Sequence, residues 1–137
     1  MALHLEFQDN VAVLRHDDGK RNVFSPDSIR DFNEALDEVE AKKAALMWMG
    51  REDCFSAGFD LKVVKSGDAD AAAAMVQAGG ELAFRIFTFP HPVVCAVTGH
   101  CLALGSVMLV CADKRIGVAG DFCLLYTSDA ADEEDSV

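Results

Sequence analysis

At 137 residues the chain amounts to one domain or part of one, and an apolar fraction of 51% allows a real core. The formal charge of −11 argues against nucleic acid, whose phosphates need clustered Lys and Arg, and it opposes an anionic ligand unless a few cations are placed locally. No apolar run approaches the roughly 18 residues of a membrane span. Met1–Glu6 has neither a basic n-region nor a long apolar h-region, so a cytoplasmic protein is expected.

Leu3–Phe7 and Val11–Leu14 alternate around Gln8-Asp9-Asn10 and predict an antiparallel hairpin; Asp17–Lys20 is a turn. Ser25 followed by Pro26 is a helix start, a side-chain cap and then proline at the first helical position. Ile29, Phe32, Leu36 and Val39 follow at spacings of three and four, so that helix packs one face on a sheet. Ala44–Met49 is a short apolar run that predicts a buried strand, with Met47, Trp48 and Met49 in the core. Asp68 to about Phe87 predicts a helix with Met75, Leu82 and Ile86 inward; Gly79-Gly80 is expected to bend or break it, and Pro90-His91-Pro92 to end it. Val93–Val97 is a second buried strand, Gly105–Cys111 a helix, and Lys114–Val118 a further strand. Strands alternate with helices in an α/β order.

The five cysteines form no C-x-x-C pair, and buried free thiols are the expectation. Gly99 and Gly105 fail the G-x-G-x-x-G spacing of a dinucleotide site. What stands out is a pair of segments, Phe55–Lys62 and Pro92–His100. Each joins an apolar strand to small residues and then to a helix, which aims backbone N–H groups into a shared cleft able to hold a developing negative oxygen.

Those segments resemble motifs of the crotonase (enoyl-CoA hydratase/isomerase) family. Phe55–Lys62 is similar to F-[SC]-A-G-x-D-[LI]-K at essentially every defined position. Pro92–Gly99 resembles the K/H-P-V-I-A-A-V-x-G strand, and Ala112–Ile116 the C-D-x-R-I-A segment. Asp17–Asn22 with Ser25-Pro26 resembles the start of the first helix of that fold. The likeness covers residues 4–122, about the first half of a usual member. It implies a crotonase-like ββα spiral core, truncated, that binds an acyl-CoA thioester. The thioester carbonyl would be held by the backbone N–H of Phe59 and that of Leu104, or of Gly105 if the register shifts by one. The resemblance lays Ala57, Gly58, Asp60, Leu61 and Lys62 along CoA, with Lys62 either a phosphate partner or a surface lysine. No metal or redox cofactor is implied, since CoA is part of the substrate, and a full-length parent would be a homotrimer or hexamer.

The likeness fails where proton transfer is needed. The family's G-G-G-C-E corresponds to Ala103-Leu104-Gly105-Ser106-Val107, so Val107 replaces a glutamate, and the second glutamate position falls on Tyr126. Neither residue is a base at neutral pH. Two readings follow: a fragment of an enoyl-CoA hydratase or isomerase, itself inactive or weak, or a non-catalytic acyl-CoA-binding or interaction module. From Cys123 the family pattern stops, and Leu124–Asp132 resembles translated sequencing-adaptor sequence. Residues 1–122 are therefore read as the N-terminal part of the domain and 123–137 as a tail outside it, with a genuine acidic tail as the alternative. Of the histidines, His4 and His16 are expected on the surface and His91 in a structural role, with His100 nearest the cleft. Asp60 is expected to fix its loop by accepting backbone N–H groups.

Overall fold

The computed structural model describes residues 2–121, 124 and 125. The hairpin forms from β1 (Leu3–Gln8) and β2 (Val11–His16), antiparallel with Leu5 opposite Leu14. After β3 (Val23–Phe24), helix α1 (Pro26–Ala41) starts at Ser25, whose side chain accepts the Ser28 N–H while the Ser28 hydroxyl accepts the Ser25 N–H. This reciprocal cap satisfies two donors that a helix start otherwise leaves open. Ile29, Phe32, Leu36 and Val39 are its buried stripe.

Strand β4 (Ala45–Met49) leads to β5 (Cys54–Ser56), β6 (Gly58–Phe59) and the short α2 (Leu61–Val64). Helix α3 (Ala69–Phe87) precedes β7 (Val93–Val97), β8 (His100–Leu102), α4 (Leu104–Cys111) and β9 (Lys114–Gly117), and β10 is Leu124–Leu125. The main sheet runs β1-β2-β4-β7-β9, parallel from β2 onward; β10-β8-β5 and β3-β6 form two smaller sheets.

The core is aromatic. Trp48 lies 4.9 Å from Phe32 and 5.0 Å from Phe55, ring centre to ring centre, and Phe24 lies 5.4 Å from Phe32. His16 belongs to this cluster, edge-on to Phe32 at 5.1 Å, and is fully buried. The expectation of a surface histidine is thus corrected. The alternation that points Ala12 and Leu14 inward runs one step further along β2.

Two other expectations change. Gly79-Gly80 does not break α3, which continues to Phe87. Strands β4 and β7 are buried on one face only: Trp48 and Cys95 are inside, while Met47, Met49, Val94 and Ala96 are half-buried. His4 is exposed, and the His91 ring packs edge-on to Phe89. Cys54, Cys95, Cys101 and Cys111 are free thiols, while Cys123 lies outside the described residues.

Candidate active site

The loop between β5 and β6 is held almost entirely by its own backbone. The Ala57 N–H donates to Arg21 O (2.9 Å), the Gly58 N–H to Ser56 Oγ (3.0 Å), and the Asp60 N–H to Phe24 O (2.9 Å). Successive amides of an extended strand face opposite sides, so with Asp60 turned to β3 the Phe59 N–H is turned away from it. Gly58 has φ +98°, a region side chains rarely adopt, and a methyl there would lie 2.8 Å from Ala103 Cβ and 3.3 Å from the Leu104 amide nitrogen. Glycine lets the β6 loop lie against the start of α4.

That start is open. Ala103 offers no side-chain cap, and the amides of Ser106 and Val107 turn back to Ala103 O at 3.0 and 3.2 Å. The first two amides of the helix, on Leu104 and Gly105, have no acceptor within it. Ala103 sits at φ 51°, ψ −121°, a conformation that suits glycine and strains alanine. The third wall is α3. A methyl on Gly79 would lie 2.5 Å from the Phe59 ring and 3.0 Å from Leu104 Cδ2, so both side chains rest on this glycine. Gly79, taken from sequence as a helix breaker, is a seat for the cleft.

Asp60 caps α2, its carboxylate accepting the Lys62 N–H at 3.0 Å, and Leu61 is exposed. Lys62 and Asp60 border a concavity of about 320 Å³ whose other walls are Asp18, Lys20, Arg21 and Val23. The contribution of Lys20 and Arg21 has no local sequence signal, because they reach Lys62 only through the β3–β6 pairing. Asp18 accepts the amides of Lys20 (2.7 Å), Asn22 (2.9 Å) and Val23 (3.1 Å). Partial burial alone would raise its pKa; these three donors outweigh it and hold the carboxyl below its usual range. Both acids are therefore engaged by backbone. Among the described residues none of Lys20, Arg21 and Lys62 is ion-paired, whereas Arg51 is paired with Asp17 at 3.2 Å.

Val107 occupies the first turn of α4 and is half-buried against the core. Tyr126 lies outside the described residues. Burial pushes the Cys101 thiol up to about 11 and raises Cys54, Cys95 and Cys111, so no thiolate nucleophile stands ready among the described residues. His100 is half-buried at the start of β8, its N–H on Asp53 O.

The Enoyl-CoA hydratase/isomerase family profile matches residues 6–121. This chain belongs to that family. A solved family protein from Pseudomonas syringae superposes with a TM-score of 0.89 at 38% identity, covering 95% of this chain and 56% of its own length. The enoyl-CoA hydratase EchA3 of Mycobacterium tuberculosis, so titled as probable, gives 0.82 at 39%, covering 84% of this chain and 49% of its own. A "Probable enoyl-CoA hydratase" of Bacillus subtilis is 29% identical over 119 residues, covering 84% of this chain and 46% of the relative. The chain thus spans about half the length of these three relatives, and its fold is that of an N-terminal portion of a crotonase domain. Among the described residues no helix is long and apolar enough to cross a membrane.

Proposed function

We propose that this chain binds an acyl-CoA thioester, with the carbonyl oxygen between the amides of Phe59 and Leu104. The observation that carries this reading is the close approach of β6 to the start of α4, where a methyl on Gly58 would lie 3.3 Å from Leu104 N, so that a strand amide turned away from β3 stands near an uncapped helix start. Gly105 supplies the second open amide of that turn. The CoA phosphates fall to Lys20, Arg21 and Lys62, three unpaired cations around one concavity in an otherwise acidic chain. By the family resemblance, Ala57 and Leu61 would lie along the CoA chain.

An oxygen held this way can take up enolate-like charge, but turnover also needs a group that moves the proton. Val107 supplies none. The chain therefore binds without efficient hydration, and the hydratase or isomerase activity belongs to a form that carries a carboxylate. Calorimetric titration with crotonyl-CoA, with hydration followed in the same samples, tests this. Binding without turnover is expected; failure to bind removes the reading. Val107→Glu should then speed exchange of the α-protons of a saturated acyl-CoA into heavy water.

A further inference from the structure

Asn22 is a fully buried polar residue on the turn that carries Lys20 and Arg21. Its φ is +54°, a left-handed conformation that asparagine tolerates better than most residues. All its polar groups are engaged, and together they join the turn to β2 and β5. The side-chain NH2 donates to His16 O (2.7 Å), Cys54 O (3.1 Å) and Phe55 O (3.3 Å), two hydrogens shared among three carbonyls. Oδ1 accepts the Asp18 N–H at 2.9 Å, and the Asn22 N–H donates to Asp18 Oδ1 at 2.9 Å. The Asn22 carbonyl accepts the Ser56 hydroxyl at 2.7 Å, and that same hydroxyl accepts the Gly58 N–H at 3.0 Å.

These bonds form a continuous path. It starts at the Asp18 carboxylate under the cationic turn, passes through the Asn22 backbone N–H and carbonyl to the Ser56 hydroxyl, and ends at Gly58, the residue before Phe59. Beside it the Asn22 side-chain amide ties the same turn to the Cys54 and Phe55 carbonyls of β5. We infer that Asn22 is a positioning residue that registers the Phe59 amide against the phosphate pocket, so that an acyl-CoA anchored by its phosphates delivers its carbonyl to a donor already in place. This rests on the thioester reading above. Binding energy gained far from the reacting carbonyl becomes useful only when the two ends are held in fixed register. Aspartate here would set a negative charge against three carbonyls, and alanine would leave them unpaired in a left-handed turn.

The test uses Asn22→Gly, which keeps the left-handed backbone and the N–H to Asp18 but removes the amide. Two readouts are taken on the full chain: the Kd for CoA itself, and the infrared stretch of a carbon-13-labelled thioester carbonyl in bound crotonyl-CoA. The wild-type protein should lower that frequency relative to the free thioester. In Asn22→Gly the CoA Kd should stay within about threefold, because Asp18 still organises the turn, while the carbonyl shift falls by about half or more. An unchanged carbonyl shift overturns the inference. So does parallel loss of CoA binding and carbonyl shift, which marks Asn22 as a folding residue only. A wild-type protein that binds CoA but leaves the carbonyl frequency unmoved refutes the thioester reading instead. Should Asn22→Gly not fold, Ser56→Ala removes the other tie between Asn22 and the β5–β6 loop, the hydroxyl that links the Asn22 carbonyl to the Gly58 N–H, and is judged by the same two readouts.

Discussion

The two edges of the main sheet are finished differently. At β1 the alternation is clean: Leu3 is buried, while His4, Glu6 and Gln8 face outward. Helix α1 lies over the inner face with its apolar stripe down. At β9 all four residues are exposed, Ile116 at 49%, and Val118 and Leu124 beyond it are equally open. Together with Val97 and Leu109 they border an apolar concavity of about 390 Å³. One edge has the one-sided burial of a finished structure. The other, paired only with β7 among the described residues, leaves Ile116 and the apolar side chains beyond it exposed.

Substitutions can break that contrast at either end. Trp48→Ala, at the centre of the aromatic cluster, should cost about 3–5 kcal/mol and leave little cooperative unfolding in a urea melt. The next largest effect is on pH. Burial pushes His16 down to about 4 from an ordinary 6.5, against the pull of Asp18 and Asp17, and neither ring nitrogen has a hydrogen-bond partner. As pH falls the unfolded chain takes up the proton first. The stability this provides is complete above pH 6.5 and lost toward pH 4, by about 3 kcal/mol at about 1.4 kcal/mol per unit. Urea melts at pH 7 and pH 4.5 should show the loss, and His16→Leu should reduce it; equal slopes in the two proteins would discount the histidine.

Gly58→Ala sharpens the comparison at the site. Its methyl would press on Ala103 in a backbone conformation that alanine resists, at a cost of about 2 kcal/mol in a thermal melt and with loss of crotonyl-CoA binding. Ile116→Ser is the smallest change, within about 0.5 kcal/mol of wild type, because the side chain touches little. Its effect should instead appear in sedimentation as weaker self-association. A stability loss as large as that of Gly58→Ala would mean that the β9 edge is structurally closed after all.

How far the sequence foretold this depends on the range of the interaction. The α1 cap and stripe, both hairpin strands and the strand–loop–helix units were legible because each depends on neighbours within a few residues. The inward place of His16 was available in the period of β2 and was overridden by the polarity of its side chain. Gly79 could not be read, because its purpose is contact with Phe59 and Leu104, about twenty residues away on either side. Asn22 has the same difficulty: its side chain bonds Cys54 and Phe55, more than thirty residues on. The family motif located the two loops. It could not indicate that Ala103 adopts a conformation suited to glycine, nor that Lys20 and Arg21 meet Lys62.

The order of the strands in the main sheet has a consequence for how the chain is made. They stand side by side in the order in which they are synthesised, β1, β2, β4, β7, β9. Each new strand can thus join an edge already formed, with no earlier gap held open for a later segment. A local hairpin comes first, and each later strand pairs with one that has already left the ribosome. Growth in a single direction makes β9 the last strand to join the main sheet, so the strands inside it are already paired when it arrives.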